Sequence, residues 1–346
     1  MAAGTVNYSR FLSVLFFSAV LSLNSFSQQI IPLQKGVNTS IRGLSVVNNS
    51  VAWISGSNGY TALSTDGGKT WKWKQLSGYE KLDFRDIEGF SAKEAVMVSA
   101  GSPAVILSTL DGGASWKEVY RDDSPDIFLD GMDFWNRKRG IIYGDPIAGK
   151  MQLLQTLDGG ASWTNMSNNL NISLIEGEAS FAASGTAIRT LKKGKVRIAT
   201  GGKQSRLFSS DDYGQTWQVS PIPIIQGESS TGPFSIAFSD HMNGSAVGGD
   251  YLNDTMRTDN LVLTIDGGKS WSKPATGPFG YRSAIEYISK DTLIATGPTG
   301  TDISEDGGRT WKQISQDGFN CVRKAKKGKW ILLAGSKGTI SWVNIL

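Results

Sequence analysis

The sequence has 346 residues, of which 39% are hydrophobic and 41 are glycine, so it can form a large folded core with many turns. It has 35 basic and 31 acidic residues, and the resulting net charge of +4 argues against nucleic acid as a partner. The single cysteine, Cys321, and the single histidine, His241, exclude an intrachain disulfide, a thiolate metal site and a histidine-based triad. No dinucleotide-binding or haem-attachment motif is present either, so we expect neither metal nor cofactor.

Residues 1–27 have the pattern of a secretory signal peptide. Arg10, the one charged residue there, precedes an apolar run from Phe11 to Leu23 that is short for a membrane span. Ser25-Phe26-Ser27 then offers small residues to a signal peptidase. We therefore expect cleavage before Gln28 and a secreted or periplasmic protein without a transmembrane span, with an uncleaved membrane anchor as the alternative.

An eight-residue signature, Ser/Thr-x-Asp-x-Gly-x-Ser/Thr-Trp, occurs six times, first from Ser64 to Trp71. In a β-hairpin, its Asp can accept hydrogen bonds from its own turn, and its Gly can adopt a positive φ. The Trp begins the next strand, where its ring can be buried against the neighbouring unit. The predicted structural residues are Asp66, Asp111, Asp158, Asp212, Asp266 and Asp306, with Trp71, Trp116, Trp163, Trp217, Trp271 and Trp311.

The spacing of the signatures predicts the fold. Consecutive signature tryptophans lie 40 to 54 residues apart, which is the length of one four-stranded propeller blade. Seven second strands can be recognised but only six signatures, and the segment from Gln29 to Lys35 is the candidate for the missing outer strand of the last unit. We predict an all-β, seven-bladed β-propeller over residues 28–346, with four-stranded antiparallel blades, closed by the N-terminal strand joining the C-terminal blade.

The signatures resemble the Asp-boxes, or BNR repeats, of sialidases, sortilin-type receptors and several other propellers. The wider sequence resembles the photosystem II stability/assembly factor-like propellers, including their non-photosynthetic bacterial relatives. That second resemblance is carried by Ile41-Arg42-Gly43-Leu44, Trp53-Ile54-Ser55-Gly56, Phe134-Trp135, Gly144-Asp145-Pro146, Phe181-Ala182-Ala183-Ser184-Gly185-Thr186, Val247-Gly248-Gly249-Asp250-Tyr251 and Gly297-Pro298-Thr299-Gly300-Thr301-Asp302. It extends over essentially the whole mature chain and implies the propeller fold more firmly than any one function.

The candidate binding site is the mouth of the central channel, where ring closure brings equivalent positions together. Alignment of the seven innermost strands on their aliphatic residues places seven residues at one equivalent position: Arg42, Arg85, Asp130, Gly177, Phe234, Arg282 and Arg323. The four arginines fall in adjacent units and predict a basic side, whereas Asp130, Asp133, Asp145, Glu176, Glu178 and Asp250 predict an acidic side. In an alternative interpretation each arginine pairs with a neighbouring carboxylate, for example Arg85 with Asp86 or Glu88.

The sequence favours a non-catalytic assembly or scaffold protein that binds a protein or peptide segment, acidic segments included, at the channel mouth. An arginine suits capture of a carboxylate, and the predicted binding residues are Arg42, Arg85, Arg282 and Arg323 with Asp145, Glu178 and Tyr251. We expect a monomer.

The alternative is a glycoside hydrolase, either sialidase-like or with paired carboxylates drawn from Asp130, Asp133 and Asp250. The Arg-Ile-Pro segment of sialidases is absent, since the nearest match is Ile30-Ile31-Pro32. The sequence therefore leaves catalysis open, and a glycan stays the alternative ligand. The loop from Asp250 to Thr255 has oxygen ligands for a hard cation but lacks EF-hand spacing, so no metal is assigned to it.

Overall fold

The computed structural model describes residues 1–5, 28–33 and 36–345. Most of the predicted signal peptide, and Gln34 and Lys35 of the segment predicted to close the ring, lie outside the described residues. Regular structure in the described part consists of β-strands in seven sheets and of the short 3-10 helices Ser167–Asn169, Lys192–Gly194 and Ser336–Gly338. Among these residues, no helix has the length and apolar character needed to cross a bilayer.

The strands form blades in chain order, except that the first strand, β1 (Gln29–Pro32), belongs to the last blade. Blade 1 contains β2 (Ile41–Val46), β3 (Ala52–Gly56), β4 (Tyr60–Ser64) and β5 (Lys72–Gln75). Blade 2 contains β6 (Asp83–Gly89), β7 (Ala95–Ala100), β8 (Ala104–Thr109) and β9 (Lys117–Asp122). Blade 3 contains β10 (Leu129–Phe134), β11 (Gly140–Ile147), β12 (Lys150–Thr156) and β13 (Thr164–Asn165).

The remaining blades vary more in strand number. Blade 4 contains β14 (Glu178–Ala179), β15 (Ile188–Leu191), β16 (Lys195–Gly202), β17 (Arg206–Ser210) and β18 (Gln218–Pro221). Blade 5 contains β19 (Thr231–Phe238), β20 (Gly244–Asp250) and β21 (Leu261–Thr264). Blade 6 contains β22 (Ala284–Tyr287), β23 (Leu293–Gly297), β24 (Gly300–Ser304) and β25 (Lys312–Ser315), and blade 7 contains β26 (Cys321–Lys324), β27 (Ile331–Ala334) and β28 (Ile340–Asn344).

The ring closes through β1, which pairs antiparallel with β28, so that Ile30 lies opposite Val343 and Ile31 opposite Trp342. The innermost strands contact one another around the ring, and β26 of blade 7 contacts β2 of blade 1. The prediction of a seven-bladed all-β propeller closed by its N-terminal strand is thus confirmed. Closure buries the sheet faces of the first and last blades against each other in one apolar cluster, faces that an open stack would leave exposed.

Blade 5 departs from the four-stranded pattern at its outer edge. A single bridge, in which Leu263 and Ser272 exchange two hydrogen bonds of 2.8 Å, stands where a fourth strand would run. Two residues further on, the chain has Pro274, which would lie opposite Leu261 and has no N–H to donate. The outer strand therefore ends after one bridge.

The Asp-box turns have the predicted hydrogen bonds. In the first, Asp66 Oδ1 accepts from Ser64 Oγ and from the Thr70 amide, each at 3.0 Å, and Oδ2 accepts from Thr70 Oγ1 at 2.6 Å. The other five turns repeat the bonds between the Asp and its two hydroxyl residues. Hydrogen bonds from Thr70 favour the ionised carboxylate and lower the pKa of Asp66 to about 2.

The Asp-box tryptophans attach each blade to the one before it. Trp116 of blade 2 meets Trp53 of blade 1 edge-on, with ring centroids 5.9 Å apart. Trp71 of blade 1 lies in the same apolar cluster as Trp330 of blade 7. Each Trp therefore contributes to the core between two blades, as its position at the start of the fourth strand predicts.

Candidate functional site

A cavity of about 510 Å³ lies at the end of the channel where the innermost strands begin, and we call it the upper cavity. All seven blades contribute to it. Its charged residues are Arg42, Arg85, Asp130 and Asp145, and its aromatic residues are Phe128, Phe181, Phe234, Tyr251 and Tyr281. Positive charge is supplied by blades 1 and 2 and negative charge by blade 3, while the aromatic rings come mainly from blades 4, 5 and 6.

Four of the seven residues that the sequence aligned do occupy equivalent positions. Arg42, Arg85, Asp130 and Phe234 each lie at a β-bulge of an innermost strand, where the ladder skips one residue. A bulge bends the strand and redirects the extra side chain. Here all four of these side chains line the upper cavity.

The alignment is wrong by one residue in blade 6. Tyr287 pairs with Leu293 at the end of the innermost hairpin, as Val46 pairs with Ala52 in blade 1, so the counterpart of Arg42 is Ser283 rather than Arg282. Arg282 is fully buried, and its Nε lies 2.5 Å from Oδ2 of Asp302. Arg282 is thus an internal ion-pair residue and not part of the channel mouth.

The alignment is also wrong for Arg323 in blade 7. Arg323 pairs with Leu332, one step from the end of the ladder, so it corresponds to Ser45 rather than to Arg42. The residue of blade 7 that reaches the upper cavity is Asn320. Arg323 instead lines a second cavity of about 350 Å³ at the opposite end of the channel, which we call the lower cavity.

Blade 4 has a different innermost element from the one expected around Gly177. Its inner edge is divided between β14, which pairs with the end of β16, and β15, which pairs with its beginning. Between them, residues 180–187 leave the sheet and enter the channel, and we call this segment the plug. Gly177 precedes it in a loop, and the inner-strand position falls on Thr186.

The plug separates the two cavities. Arg42 Nη1 donates to the Ala183 carbonyl at 2.9 Å, and Arg323 Nη2 donates to the Ser184 carbonyl at 3.2 Å. Ser184 Oγ donates to the Ser283 carbonyl at 2.8 Å, and Thr186 Oγ1 shares a 2.6 Å hydrogen bond with Ser235 Oγ. These contacts tie the plug to blades 1, 5, 6 and 7, so the channel is filled at mid-height.

Phe181 extends the plug into the upper cavity. Its ring stacks on Phe234 with centroids 3.9 Å apart, and Phe234 meets Tyr281 and Tyr251 edge-on at 4.7 and 6.0 Å. Tyr251, predicted as a binding residue, is 47% exposed at the rim. Phe128, Phe181 and Tyr281 were not predicted as site residues, although Phe181 belongs to the Phe-Ala-Ala-Ser-Gly-Thr segment that carries the family resemblance.

The two arginines of the upper cavity differ in their partners. Arg85 Nε lies 2.8 Å from Asp83 Oδ2, so it forms a local ion pair, but with neither Asp86 nor Glu88. Arg42 makes no ion pair with any carboxylate among the described residues. Burial, followed by the nearby positive charge of Arg85, lowers the pKa of Arg42. Arg42 is therefore a partly desolvated guanidinium that has no directly bonded carboxylate in the described part of the chain.

The predicted acidic residues separate into different environments. Asp130 and Asp145 line the upper cavity. Glu178 is buried beneath it, where Arg206 binds both of its oxygens, at 2.9 and 2.5 Å. Asp133 lines the lower cavity, and its Oδ2 accepts from the Thr190 amide at 2.6 Å.

The carboxylates of the glycosidase alternative do not share a cavity. Asp130 faces the upper cavity, Asp133 faces the lower one, and Asp250 lines neither, because its Oδ1 accepts from the Leu252 amide in a turn. A paired-carboxylate mechanism needs both groups on one substrate. In the part of the chain that the structure describes, no group of three or more potential metal ligands is assembled either.

Buried acids below the plug lead to a prediction for pH. Asp86 is 2% exposed, and burial raises its pKa to about 7 from 3.8. The folded state then binds the carboxyl proton of Asp86 more tightly than the unfolded state does. The stability that this proton contributes is complete below pH 3.8 and is lost as the pH rises through 7. We expect the free energy of unfolding to be about 2 kcal/mol larger at pH 5 than at pH 8.

Chemical denaturation at the two pH values measures this difference. Burial also raises the pKa of Glu88, Asp130 and Asp145, so these groups act in the same direction. The Asp-box carboxylates, whose pKa is lowered, lose their contribution only as pH falls below 3.8 toward 2. Greater stability at pH 8 than at pH 5 would contradict the assignment.

The fold and its upper cavity define a class: a seven-bladed Asp-box propeller whose polar, aromatic-lined channel mouth is closed below by a plug. Comparison with known proteins shows which family part of the sequence resembles. Residues 20–125 match the family model described as photosynthesis system II assembly factor YCF48. No curated protein matches the sequence.

Solved structures extend the likeness to the whole propeller. The structure described as YCF48 bound to D1 peptide is 16% identical, with a TM-score of 0.67 over 92% of this chain and 97% of that one. YCF48 from Cyanidioschyzon merolae is 15% identical, with a TM-score of 0.61 over 91% and 98%. The WD40 β-propeller domain of Doa1 is 12% identical, with a TM-score of 0.62 over 93% and 98%, so the fold is shared beyond one family. The chain thus has the seven-bladed propeller fold with six Asp-box turns, and over residues 20–125 it is similar to the YCF48 family.

Proposed function

We propose that this protein binds an extended segment of a partner protein in the upper cavity and that Arg42 binds a carboxylate of that segment. The observation that carries the proposal is the guanidinium of Arg42, which lines the cavity without an ion-pair partner among the described residues. An arginine can bind a carboxylate through two parallel hydrogen bonds, and partial desolvation strengthens such bonds. One Arg42 nitrogen is already directed to the plug, which fixes the orientation of the group.

The rest of the cavity suits a peptide. The stacked pair of Phe181 and Phe234, with Tyr251 at the rim, offers rigid apolar surface with polar groups beside it. Aromatic and arginine side chains are the residues that contribute most to binding energy in protein interfaces. The plug closes the cavity floor, so a segment would enter and leave at the upper end. The similar YCF48 structure is described as bound to a D1 peptide, which supports a peptide as the ligand class.

The test is selection from a library of random heptapeptides displayed with free C-terminal carboxylates. The best peptide is synthesised and its affinity is measured for the native protein and for Arg42→Gln. We expect the substitution to weaken binding by about tenfold to a hundredfold, as for loss of a charge-assisted hydrogen bond. Conversion of the peptide's carboxylates to amides should weaken binding to the native protein to a similar extent and should have little further effect on Arg42→Gln.

A matched control is Arg121→Gln, which removes one positive charge from the outer strand β9. Arg121 is exposed and forms only long ion pairs, at 3.7 and 3.6 Å, with Glu118 and Asp123. The Arg121→Gln variant should bind the peptide with the affinity of the native protein. Equal affinity of the native protein and Arg42→Gln, or a library that yields no binder, would overturn the proposed function.

We further propose that residues 1–27 are a signal peptide and that the mature protein is secreted or periplasmic. The apolar run from Phe11 to Leu23, followed by Ser25-Phe26-Ser27, supports this. The N-terminal sequence of the protein recovered from its producing cells decides the point: Gln28 as the first residue supports cleavage, and a retained Met1 or Ala2 contradicts it.

A further inference from the structure

The upper cavity contains a buried carboxylate that the proposed carboxylate binding does not use. Asp130 is 1% exposed, and neither of its oxygens has a hydrogen-bond partner among the described residues. It lines the cavity from the bulge of β10. A buried carboxylate without a partner is costly, and native proteins rarely retain one without a reason.

The other buried acids in the described part of the chain each have at least one hydrogen-bonded oxygen, whereas Asp130 has none. Glu178 accepts hydrogen bonds from Arg206, Thr200 and the Ile175 amide. Asp302 accepts from Arg282 and from the Phe279 amide through Oδ2, while its Oδ1 has no partner among the described residues. Among the buried acids of the described residues, Asp130 alone has both oxygens without a partner. The partner of Asp130 is accordingly to be sought in something that enters the cavity.

Asp145 adds a second carboxylate to the same side of the cavity. Its Oδ1 accepts from the Ser180 amide at 2.9 Å. Burial raises the pKa of Asp130 well above its usual range, and the charge of Asp145 raises it further. The cation that partly offsets this, Arg85, forms its ion pair with Asp83 and not with Asp130. The acidic side of the cavity is thus without a direct counter-ion in the described structure.

Aromatic rings adjoin this acidic side. Phe128, two residues before Asp130, and Phe181, next to the residue bound by Asp145, both line the cavity. The face of an aromatic ring attracts a cation, and the attraction grows when water is excluded. Carboxylates beside aromatic rings are a suitable environment for an ammonium or a guanidinium group.

We infer that Asp130 and Asp145 form a cation subsite in the upper cavity that takes the ammonium or guanidinium group of a lysine or arginine side chain. This inference rests on the proposed function, because the basic side chain belongs to the segment whose carboxylate Arg42 binds. The ligand then carries both charges, with its basic group toward blade 3 and its carboxylate toward blade 1. Among the described residues, a bare divalent cation would find two carboxylates in this cavity, and binding of such a cation instead of the peptide is one outcome of the test.

The first experiment repeats the library selection, with EDTA present throughout, on the native protein, Asp130→Asn and Asp126→Asn. Asp126 is an exposed residue of the same loop that does not line the cavity, so its substitution removes one negative charge nearby. We expect enrichment of lysine or arginine with the native protein and with Asp126→Asn, and no such enrichment with Asp130→Asn. Asn has nearly the shape of Asp and removes a buried acid, so the variant should keep its thermal stability.

The second experiment measures the selected peptide and a copy in which norleucine or citrulline replaces the basic residue. The native protein should bind the copy about tenfold to a hundredfold more weakly than the selected peptide. Asp130→Asn should bind the selected peptide as weakly as the native protein binds the copy, and it should bind the copy with nearly the same affinity. Calorimetry in buffers of different ionisation enthalpy should detect proton release on binding to the native protein, because the cation favours the ionised form of Asp130. Asp130→Asn should show less release.

The outcomes separate the two proposals. Loss of affinity in Arg42→Gln without basic enrichment, or basic enrichment that persists in Asp130→Asn, overturns the cation subsite and leaves the proposed function standing. Tighter binding of Ca²⁺ than of the basic peptide, lost in Asp130→Asn, also overturns it. If the library yields no binder, the proposed function fails, and titration with Nα-acetyl-lysine methylamide decides the subsite: binding lost in Asp130→Asn supports it, and no binding overturns it.

Discussion

Gly185→Ala is expected to lower the free energy of unfolding by about 3 kcal/mol or more, because the plug has no room for a methyl group at this position. Gly185 has a φ of +68°, which is unfavourable for any residue with a Cβ. A Cβ built there would lie 2.3 Å from Cγ of Asp86 and within 2.5 Å of both of its carboxylate oxygens. Asp86 cannot move aside easily, since it accepts from the Met132 and Ile87 amides at 2.7 and 2.8 Å.

A matched variant isolates the contribution of the steric contact. Gly78 has a similar φ of +87°, but no heavy atom lies within 4 Å of the point that a Cβ would occupy, so Gly78→Ala should cost only about 1 kcal/mol for the backbone conformation. Thermal and chemical denaturation of the two variants measure the difference. If both substitutions cost the same, residues 180–187 are not packed against Asp86 as described.

Arg282→Met should destabilise the protein by about 3 to 5 kcal/mol, because it leaves the Asp302 carboxylate buried without its counter-ion. Both side chains are fully buried, and Arg282 Nε lies 2.5 Å from Asp302 Oδ2. Arg282 also donates from Nη1 to the Tyr281 carbonyl and to Thr299 Oγ1, each at 2.9 Å. The substitution therefore removes several bonds of blade 6 at once.

The double variant Arg282→Met with Asp302→Leu tests the cause. If the isolated charge accounts for the loss, removal of both charged groups should recover a large part of it. Lys312→Met is a surface control, since Lys312 and Glu305 are both about half exposed and form a 2.8 Å ion pair of little net effect. Arg282→Met with native stability would mean that the pair is not buried.

The sequence predicted the parts of this fold that depend on local interactions. Each Asp-box places an Asp, its hydroxyl partners and a Trp within eight residues, so the turn can be recognised without knowledge of the rest of the chain. Repetition of that turn then gave the blade length and the ring. The pairing of β1 with β28 could also be predicted, because the seventh unit lacks an Asp-box and an outer strand of its own, and the segment from Gln29 precedes the first unit.

Register in the innermost strands could not be predicted with the same success. Side chains of a strand alternate between its two faces, and a bulge adds one residue, which shifts this alternation by one position. An alignment on the aliphatic residues alone can therefore be wrong by one residue. Arg42 and Arg85 are the extra residues of such bulges, and Ser283 rather than Arg282 is their counterpart in blade 6. The error in blade 6 placed a buried ion-pair residue at the channel mouth.

The plug had no recognisable signal beyond its likeness to the family. Residues 180–187 are small apart from Phe181, and they follow neither the period of a strand nor that of a helix. Their conformation is fixed by contacts with blades that are distant in the sequence, such as the bonds from Arg42 and Arg323. Arg42, Arg85, Asp145 and Tyr251 were therefore predicted for the cavity, while its floor was not.

The pairing of β1 with β28 has a consequence for biogenesis. The first strand of the propeller must wait for the last strand, so during synthesis six sheets can assemble while the seventh stays incomplete. Such non-local pairing is the slowest kind to form, because the intervening polypeptide must already be ordered. If residues 1–27 are removed as proposed, the new N-terminus at Gln28 directly precedes this strand.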